Sequence, residues 1–160
     1  MKAVQTEQQK KRQLILFLAL DVLWIGFIFC RSLQTADRSM AESGRILALV
    51  RKILPFMTSF LIRKLGHFTE FLILGALFCL TGRSVRRLRD GNAFHLGFLY
   101  PALAGLLVAA GDESIQLGVE GRSGEIRDVL IDFSGVLCAL LLGLLLEARR
   151  RKKAAPPKSG

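Results

Sequence analysis

Four long apolar stretches, separated by charged or polar segments, dominate the pattern of hydrophobic and polar positions along the chain. They lie at about 14–30, 64–82, 94–111 and 129–146. A helix needs about 20 apolar residues to cross the hydrocarbon core of a bilayer, so each stretch is close to the required length. The pattern predicts four transmembrane helices within one membrane domain at 14–146.

The segment at 46–61, between the first two predicted spans, has a different pattern. Its apolar residues recur every three or four positions, while basic residues and Pro55 take the other side of the helix. This periodicity predicts an amphipathic helix that is kinked near Pro55 and lies in the membrane interface. The predicted fold is therefore all-α: an integral membrane four-helix bundle with an additional interfacial amphipathic helix between spans one and two.

The composition agrees with a membrane protein. The chain is 51% hydrophobic and yet carries a formal net charge of +10, which suits apolar spans with basic flanks better than a soluble domain. The basic residues flank apolar segments and form no stripe along a polar face. This arrangement argues against nucleic-acid binding and makes the lipid bilayer the expected partner.

The distribution of the basic residues predicts an orientation. Fourteen of the 23 lysines and arginines fall in 1–13, 83–92 and 147–160, which share one side of a four-span protein. Because basic flanks stay in the cytoplasm, both termini are predicted to be cytoplasmic, with a basic tail at 1–13 and a basic, disordered one at 147–160. The turn at 111–128 and the start of span two then face outward from the plasma membrane.

Polar residues concentrate where spans two, three and four meet the predicted outer face. Six of the 13 acids lie at 111–132. Asp112 and Gln116 are spaced i, i+4, as are Asp128 and Asp132, so each pair falls on one helix face. We expect these groups to converge into one candidate ligand-binding site or polar network, whose members are Lys64, His67, Glu70, Asp112, Glu113, Gln116, Arg122, Asp128 and Asp132.

Several kinds of chemistry suit these residues. Arg122 is expected to pair with Asp112, Glu113 or Asp128, because an unpaired carboxylate at a packed helix end is unfavourable. His67 could act as a general acid or base or as a ligand, and carboxylates with one histidine could hold a hard divalent ion. A structural network that ties three helix ends together fits equally well. No sequence motif assigns a reaction, a metal or a cofactor.

The motifs at these positions resemble those of the VanZ-like family of small bacterial membrane proteins, named for a teicoplanin-resistance protein. A Lys-x-x-His-Phe-x-Glu-aromatic motif is matched at 64–71, and an Asp-Glu-x-His-Gln motif at 112–116. Gly-Arg-x-Gly followed by Asp-x-x-x-Asp-x-x-Gly is matched at 121–135. Two positions depart from the pattern: Ile115 stands where the family usually has His, and Glu120 where it often has Pro.

The resemblance implies a bacterial plasma-membrane protein linked to the cell envelope or to glycopeptide resistance. The family's Ser-rich segment after the first span is similar to Ser32, Ser39 and Ser43 here. With this family in view, the outer polar site is expected to bind a cell-wall precursor or another lipid-linked ligand. Binding would lower sensitivity to a glycopeptide such as teicoplanin.

Two other classes of function stay open at this point. One is a membrane enzyme that acts on a lipid-linked substrate. The other is a noncatalytic assembly or helper subunit, in which the polar residues form a structural network. In the enzyme hypothesis, the acid, base or metal-ligand residues would be His67, Glu70, Asp112 and Glu113. The sequence assigns neither a substrate nor an oligomeric state.

Overall fold

The computed structural model describes residues 6–88 and 94–154, with the backbone alone for 94–97, 151 and 154. These residues form five helices and no strand, which confirms the all-α prediction. Four of the helices are long and apolar enough to cross a membrane, so the chain is a multi-pass membrane protein. The helices are α1 Glu7–Ser32, α2 Ala36–Val50, α3 Ser59–Leu88, α4 Phe94–Leu117 and α5 Ile126–Ala154.

The long helices extend beyond the apolar stretches that predicted them. At its start, α1 is fixed by a capping box, in which the Thr6 hydroxyl accepts from the Gln9 backbone and the Gln9 side chain accepts from the Thr6 backbone. At the other end of the chain, α5 continues through Ala154. The predicted disorder at 147–160 is therefore wrong for 147–154. Lys, Arg and Glu are good helix formers, and adding them to an existing helix needs no new nucleus.

The helix between the first two spans exists, but its predicted bounds are wrong. Instead of covering 46–61, α2 ends at Val50, and 51–58 is not helical. Pro55 lacks an amide hydrogen and restricts the residue before it, so it ends helical structure here and does not kink a helix. The buried face of α2 carries Ser39, Ser43 and Leu47, spaced i, i+4, i+8. Two of these three residues are polar, which is why apolar periodicity did not place the helix.

The core lies between the four long helices, and much of the outer surface is apolar. All four long helices contribute buried side chains to the core. Large apolar side chains such as Leu23 on α1 and Leu107 on α4, about 70% exposed, point away from this core. An outward apolar surface suits lipid contact. The fully buried or nearly buried core residues are Ile28, Phe71, Leu74, Phe78, Ala109, Val136 and Leu140.

Glycines bring α5 directly against α3. A Cβ at Gly135 would lie 2.5 Å from the Phe68 carbonyl oxygen and 2.9 Å from the Leu72 amide nitrogen. A Cβ at Gly75 would lie 2.9 Å from the Val136 backbone. Small residues permit this approach of two membrane helices. Because Asp132 lies one turn before Gly135, the same contact holds Asp132 beside α3.

Candidate functional site

The nine predicted site residues lie at one end of the bundle, opposite the start of α1 and the end of α5. At this end α1 and α4 finish, α3 and α5 begin, and α2 packs beside α3. The loop at 118–125 links α4 to α5 and reverses at Gly121, where φ is 74°, a left-handed value that favours glycine. We call this end of the bundle the polar end. It includes Arg31, Ser32 and the nine predicted site residues.

A buried cluster of three residues forms its centre. The Asp112 carboxylate is completely buried, and it accepts hydrogen bonds from the Ser32 hydroxyl and from Gln116 Nε2, the latter at 3.0 Å. His67 Nδ1 lies 3.9 Å from Asp112 Oδ2 and 3.7 Å from Asp132 Oδ1, both too long for hydrogen bonds. One potential ligand atom from each of His67, Asp112 and Asp132 lies within 4.8 Å of the other two. We call these three residues the central triad.

Several polar atoms around the triad are buried without a hydrogen-bond partner. Both carboxylate oxygens of Asp132, which is 1% exposed, are among them, as are His67 Nδ1 and Glu113 Oε2. Burial of an ionised carboxylate away from water is strongly unfavourable unless a partner offsets it. The triad is therefore suited to a cation or to a proton shared between its members.

Ion pairs surround the triad and connect the helices. Lys64 on α3 pairs with Asp128 on α5. Arg31, at the end of α1, reaches Glu70 on α3 at 2.7 Å and Glu42 on α2 at 3.2 Å. These pairs connect α1, α2, α3 and α5, so this outer ring fits the structural network that the sequence left open.

The four acid and base candidates for an enzyme do not share one centre. His67 and Asp112 face each other in the triad, but Glu70 is held by Arg31. Glu113 is 6% exposed and its Oε1 accepts from the Glu125 backbone amide at 2.6 Å, which fixes the loop before α5. Asp132 takes the place near His67 that this hypothesis gave to the glutamates.

The predicted pairing of Arg122 is wrong. Within 6–88 and 94–154 its guanidinium makes no ion pair or hydrogen bond with another side chain, because each expected partner is engaged elsewhere. Arg122 instead lines two neighbouring open cavities with volumes of about 60 and 140 Å³, and Arg63 and His67 also line both. Burial, followed by the positive charge of Arg63, lowers the pKa of Arg122.

The sequence reasoning missed three residues of the polar end. Arg31 and Ser32 directly follow the first apolar stretch, and only the likeness to a serine-rich family segment pointed to Ser32. Arg63 lies two residues beyond the 46–61 segment that was predicted as the interfacial helix, and no motif included it. A further contact at this end involves the single tryptophan: Trp24 Nε1 donates to the Glu70 carbonyl oxygen at 2.9 Å and joins α1 to α3.

Comparison with known proteins identifies one family. A family model described as VanZ/LLP1 matches residues 17–147 of the 160-residue chain. This range contains every residue of the central triad and of the surrounding ion pairs. It also contains Arg63 and Arg122, the two arginines that line both cavities, which we call the cavity arginines. No curated protein sequence and no solved structure matches the chain.

Proposed function

Because the chain belongs to the VanZ/LLP1 family, we propose that it is an envelope protein of a bacterial plasma membrane that binds an anionic lipid-linked or cell-wall ligand. The polar end would be the binding site and would face outward, with both termini in the cytoplasm. The concentration of basic residues near the termini and in 83–92 supports this orientation. The family resemblance adds glycopeptide resistance as the expected phenotype.

The observation that carries this proposal is the pair of cavity arginines. Arg63 and Arg122 line the same two cavities, and neither has a carboxylate partner within 4 Å among the described residues. Two like charges in a half-buried site repel each other, and the lowered pKa of Arg122 reflects that repulsion in part. A bound phosphate would relieve it, because guanidinium groups bind phosphate oxygens with two hydrogen bonds.

The surroundings of the arginines favour a ligand with a lipid tail. Ile46 and Ile62 line one cavity, and Phe60 lines the other while 60% exposed. The cavities therefore present cationic groups beside apolar side chains at the polar end. Acids also line them, but Glu42 is paired with Arg31 and Asp128 with Lys64. A polyprenyl phosphate has the complementary composition, with an anionic head on a hydrocarbon chain.

Binding of a polyprenyl pyrophosphate tests this proposal. We expect the parent protein in nanodiscs to bind it saturably, and to bind the uncharged polyprenol much more weakly. Arg63→Gln and Arg122→Gln should each weaken binding about tenfold, because a charged hydrogen bond contributes about 1.5–3 kcal/mol. Arg127→Gln is the matched control, since Arg127 is exposed and lies outside both cavities. Equal binding of the alcohol, or unchanged affinity in both cavity variants, would contradict the proposal.

The same variants provide a cellular readout. Expression of the parent in a susceptible Gram-positive host should raise the minimum inhibitory concentration of teicoplanin. Arg122→Gln and Asp112→Asn should return it to the vector value at equal membrane abundance, while Arg127→Gln should keep the protection. Equal protection by all variants would show that the polar end is not needed for resistance. Absence of protection by the parent would show that the protein does not confer teicoplanin resistance.

A further inference from the structure

Three side chains from three different helices meet at the central triad, and their chemistry is that of a metal site. His67 comes from α3, Asp112 from α4 and Asp132 from α5. We propose that the triad binds one divalent transition-metal ion, of the class of Mn²⁺ or Zn²⁺. This proposal concerns the triad alone and is independent of any ligand in the neighbouring cavities.

The distances are close to those of a coordinated ion. Metal bonds of about 2.1 Å to nitrogen or oxygen place neighbouring ligand atoms about 3.0–3.5 Å apart. His67 Nδ1 is 3.7 Å from Asp132 Oδ1 and 3.9 Å from Asp112 Oδ2. These two separations must shorten by less than 1 Å, which small rotations of the side chains provide, and the two aspartates offer ligand atoms within 4.8 Å of each other. The helix backbones can stay in place.

Asp132 supplies a second and independent observation. It is 1% exposed, both of its oxygens are buried without a hydrogen-bond partner among the described residues, and His67 Nδ1 lies 3.7 Å from its Oδ1. The contact of Gly135 with the α3 backbone holds this part of α5 in place, so Asp132 cannot move out to water without separating the helices. A cation between Asp132 and His67 Nδ1 would satisfy all three unpartnered atoms at once.

Among the described residues, no lysine or arginine forms an ion pair with the triad carboxylates, although the charge of the nearby Arg122 acts on Asp112 and His67. Lys64 is held by Asp128, and Arg31 by Glu70 and Glu42. Asp112 already has the support typical of a metal ligand, because the Ser32 hydroxyl and the Gln116 amide fix the orientation of its carboxylate. When both are ionised, the carboxylates of Asp112 and Asp132 carry two negative charges, which a divalent ion would balance.

The donor set selects the class of ion. Carboxylates accept Mg²⁺, Ca²⁺ and Mn²⁺, whereas an imidazole nitrogen favours transition metals such as Zn²⁺ and Fe²⁺. One nitrogen and two carboxylate oxygens therefore suit Mn²⁺ and Zn²⁺ better than Mg²⁺ or Ca²⁺. The competing arrangement is a proton shared by His67 and Asp132, which needs no metal.

Metal binding to the chelator-stripped protein in nanodiscs tests the proposal. A background without cysteines removes adventitious thiol ligands, since Cys30, Cys79 and Cys138 are all free. We expect saturable binding of one Mn²⁺ per chain by electron paramagnetic resonance, and a rise in Tm with added Mn²⁺ or Zn²⁺. Mg²⁺ should produce a much smaller rise in Tm.

Variants separate the triad from other acids. Asp132→Asn and His67→Gln should each weaken Mn²⁺ binding at least tenfold. Glu120→Gln, which removes an exposed carboxylate at the same end, should leave it unchanged. If one triad variant does not fold, the other still decides, and the parent binding isotherm needs no variant. Lack of saturable binding by the folded parent, or unchanged affinity in the triad variants, would overturn the proposal and favour the shared proton.

Discussion

At the end of the bundle where α1 begins and α5 ends, which we call the terminal end, three arginines of α3 are held by neighbouring helices. Arg83 donates to the Gly143 carbonyl oxygen at 2.8 Å, and Arg86 makes two hydrogen bonds to the Glu147 carboxylate at 3.0 and 3.3 Å. Arg87 Nη1 donates to Gln13 Oε1 at 3.2 Å. The polar end differs, because its cavity arginines and several buried acceptors have no such partners.

The two ends differ in how many buried polar atoms lack a hydrogen-bond partner. Among the described residues, five buried side-chain atoms have no hydrogen-bond partner, and four of them are at the polar end. The fifth is Asp21 Oδ1, whose companion oxygen accepts from Thr81 at 2.7 Å. The buried atoms without partners therefore concentrate at the polar end, where we propose that a ligand and a metal ion bind.

The largest expected difference between the ends is their exposure to an impermeant reagent. In a cysteine-free background, Gly118→Cys at the polar end and Lys152→Cys near the end of α5 provide single exposed thiols. Only the cysteine at 118 should react with an impermeant maleimide in intact cells, because basic flanks of membrane spans generally stay in the cytoplasm. Both should react after permeabilisation, which is the control. Labelling at 152 alone would reverse the proposed orientation.

A smaller effect should follow when the terminal end loses a pair. Arg86→Ala removes two charged hydrogen bonds from a partly buried carboxylate, so it should lower the free energy of unfolding by about 2 kcal/mol. Reversible unfolding in mixed micelles would measure this loss. Arg86→Lys should restore only part of the stability, because lysine cannot bind the carboxylate with two parallel hydrogen bonds. Unchanged stability in Arg86→Ala would remove the contrast between the ends.

The smallest effect is expected for the equivalent change at the polar end. Arg122→Ala should alter the free energy of unfolding by no more than about 0.5 kcal/mol, because Arg122 has no side-chain partner among the described residues and lies near Arg63. The same mixed-micelle titration measures it against the loss in Arg86→Ala. A loss as large as that of Arg86→Ala would show that Arg122 is part of the structural network after all.

The sequence predicted which residues meet, and it was less successful at predicting their partners. The i, i+4 spacing correctly placed Gln116 beside Asp112, because a contact within one helix depends only on helical geometry. Partners on different helices depend on how the helices pack. Lys64 pairs with Asp128, which had been expected to be available to Arg122. The packing of α3 against α5, which is close at Gly135, brings these two residues together.

The bounds of α2 show a second limit of the sequence pattern. Ser43 donates to the Ser39 carbonyl oxygen at 2.8 Å, so its hydroxyl is satisfied within the helix and can face the bundle. A prediction based only on apolar positions would place such a serine face toward solvent. The four spans were predictable because their apolar stretches are long, whereas a short helix with a serine face leaves little trace in hydropathy.

The position of Trp24 gives the protein a built-in optical probe. It is the single tryptophan of the chain, and its indole donates to the Glu70 carbonyl oxygen while its ring lies 5.0 Å from that of Phe27. Glu70 is also the residue that Arg31 holds at the edge of the polar end. The emission wavelength of an indole depends on its hydrogen bonding and its local field. Tryptophan fluorescence, without any attached label, therefore originates from a single place in the protein, at the junction of α1 and α3.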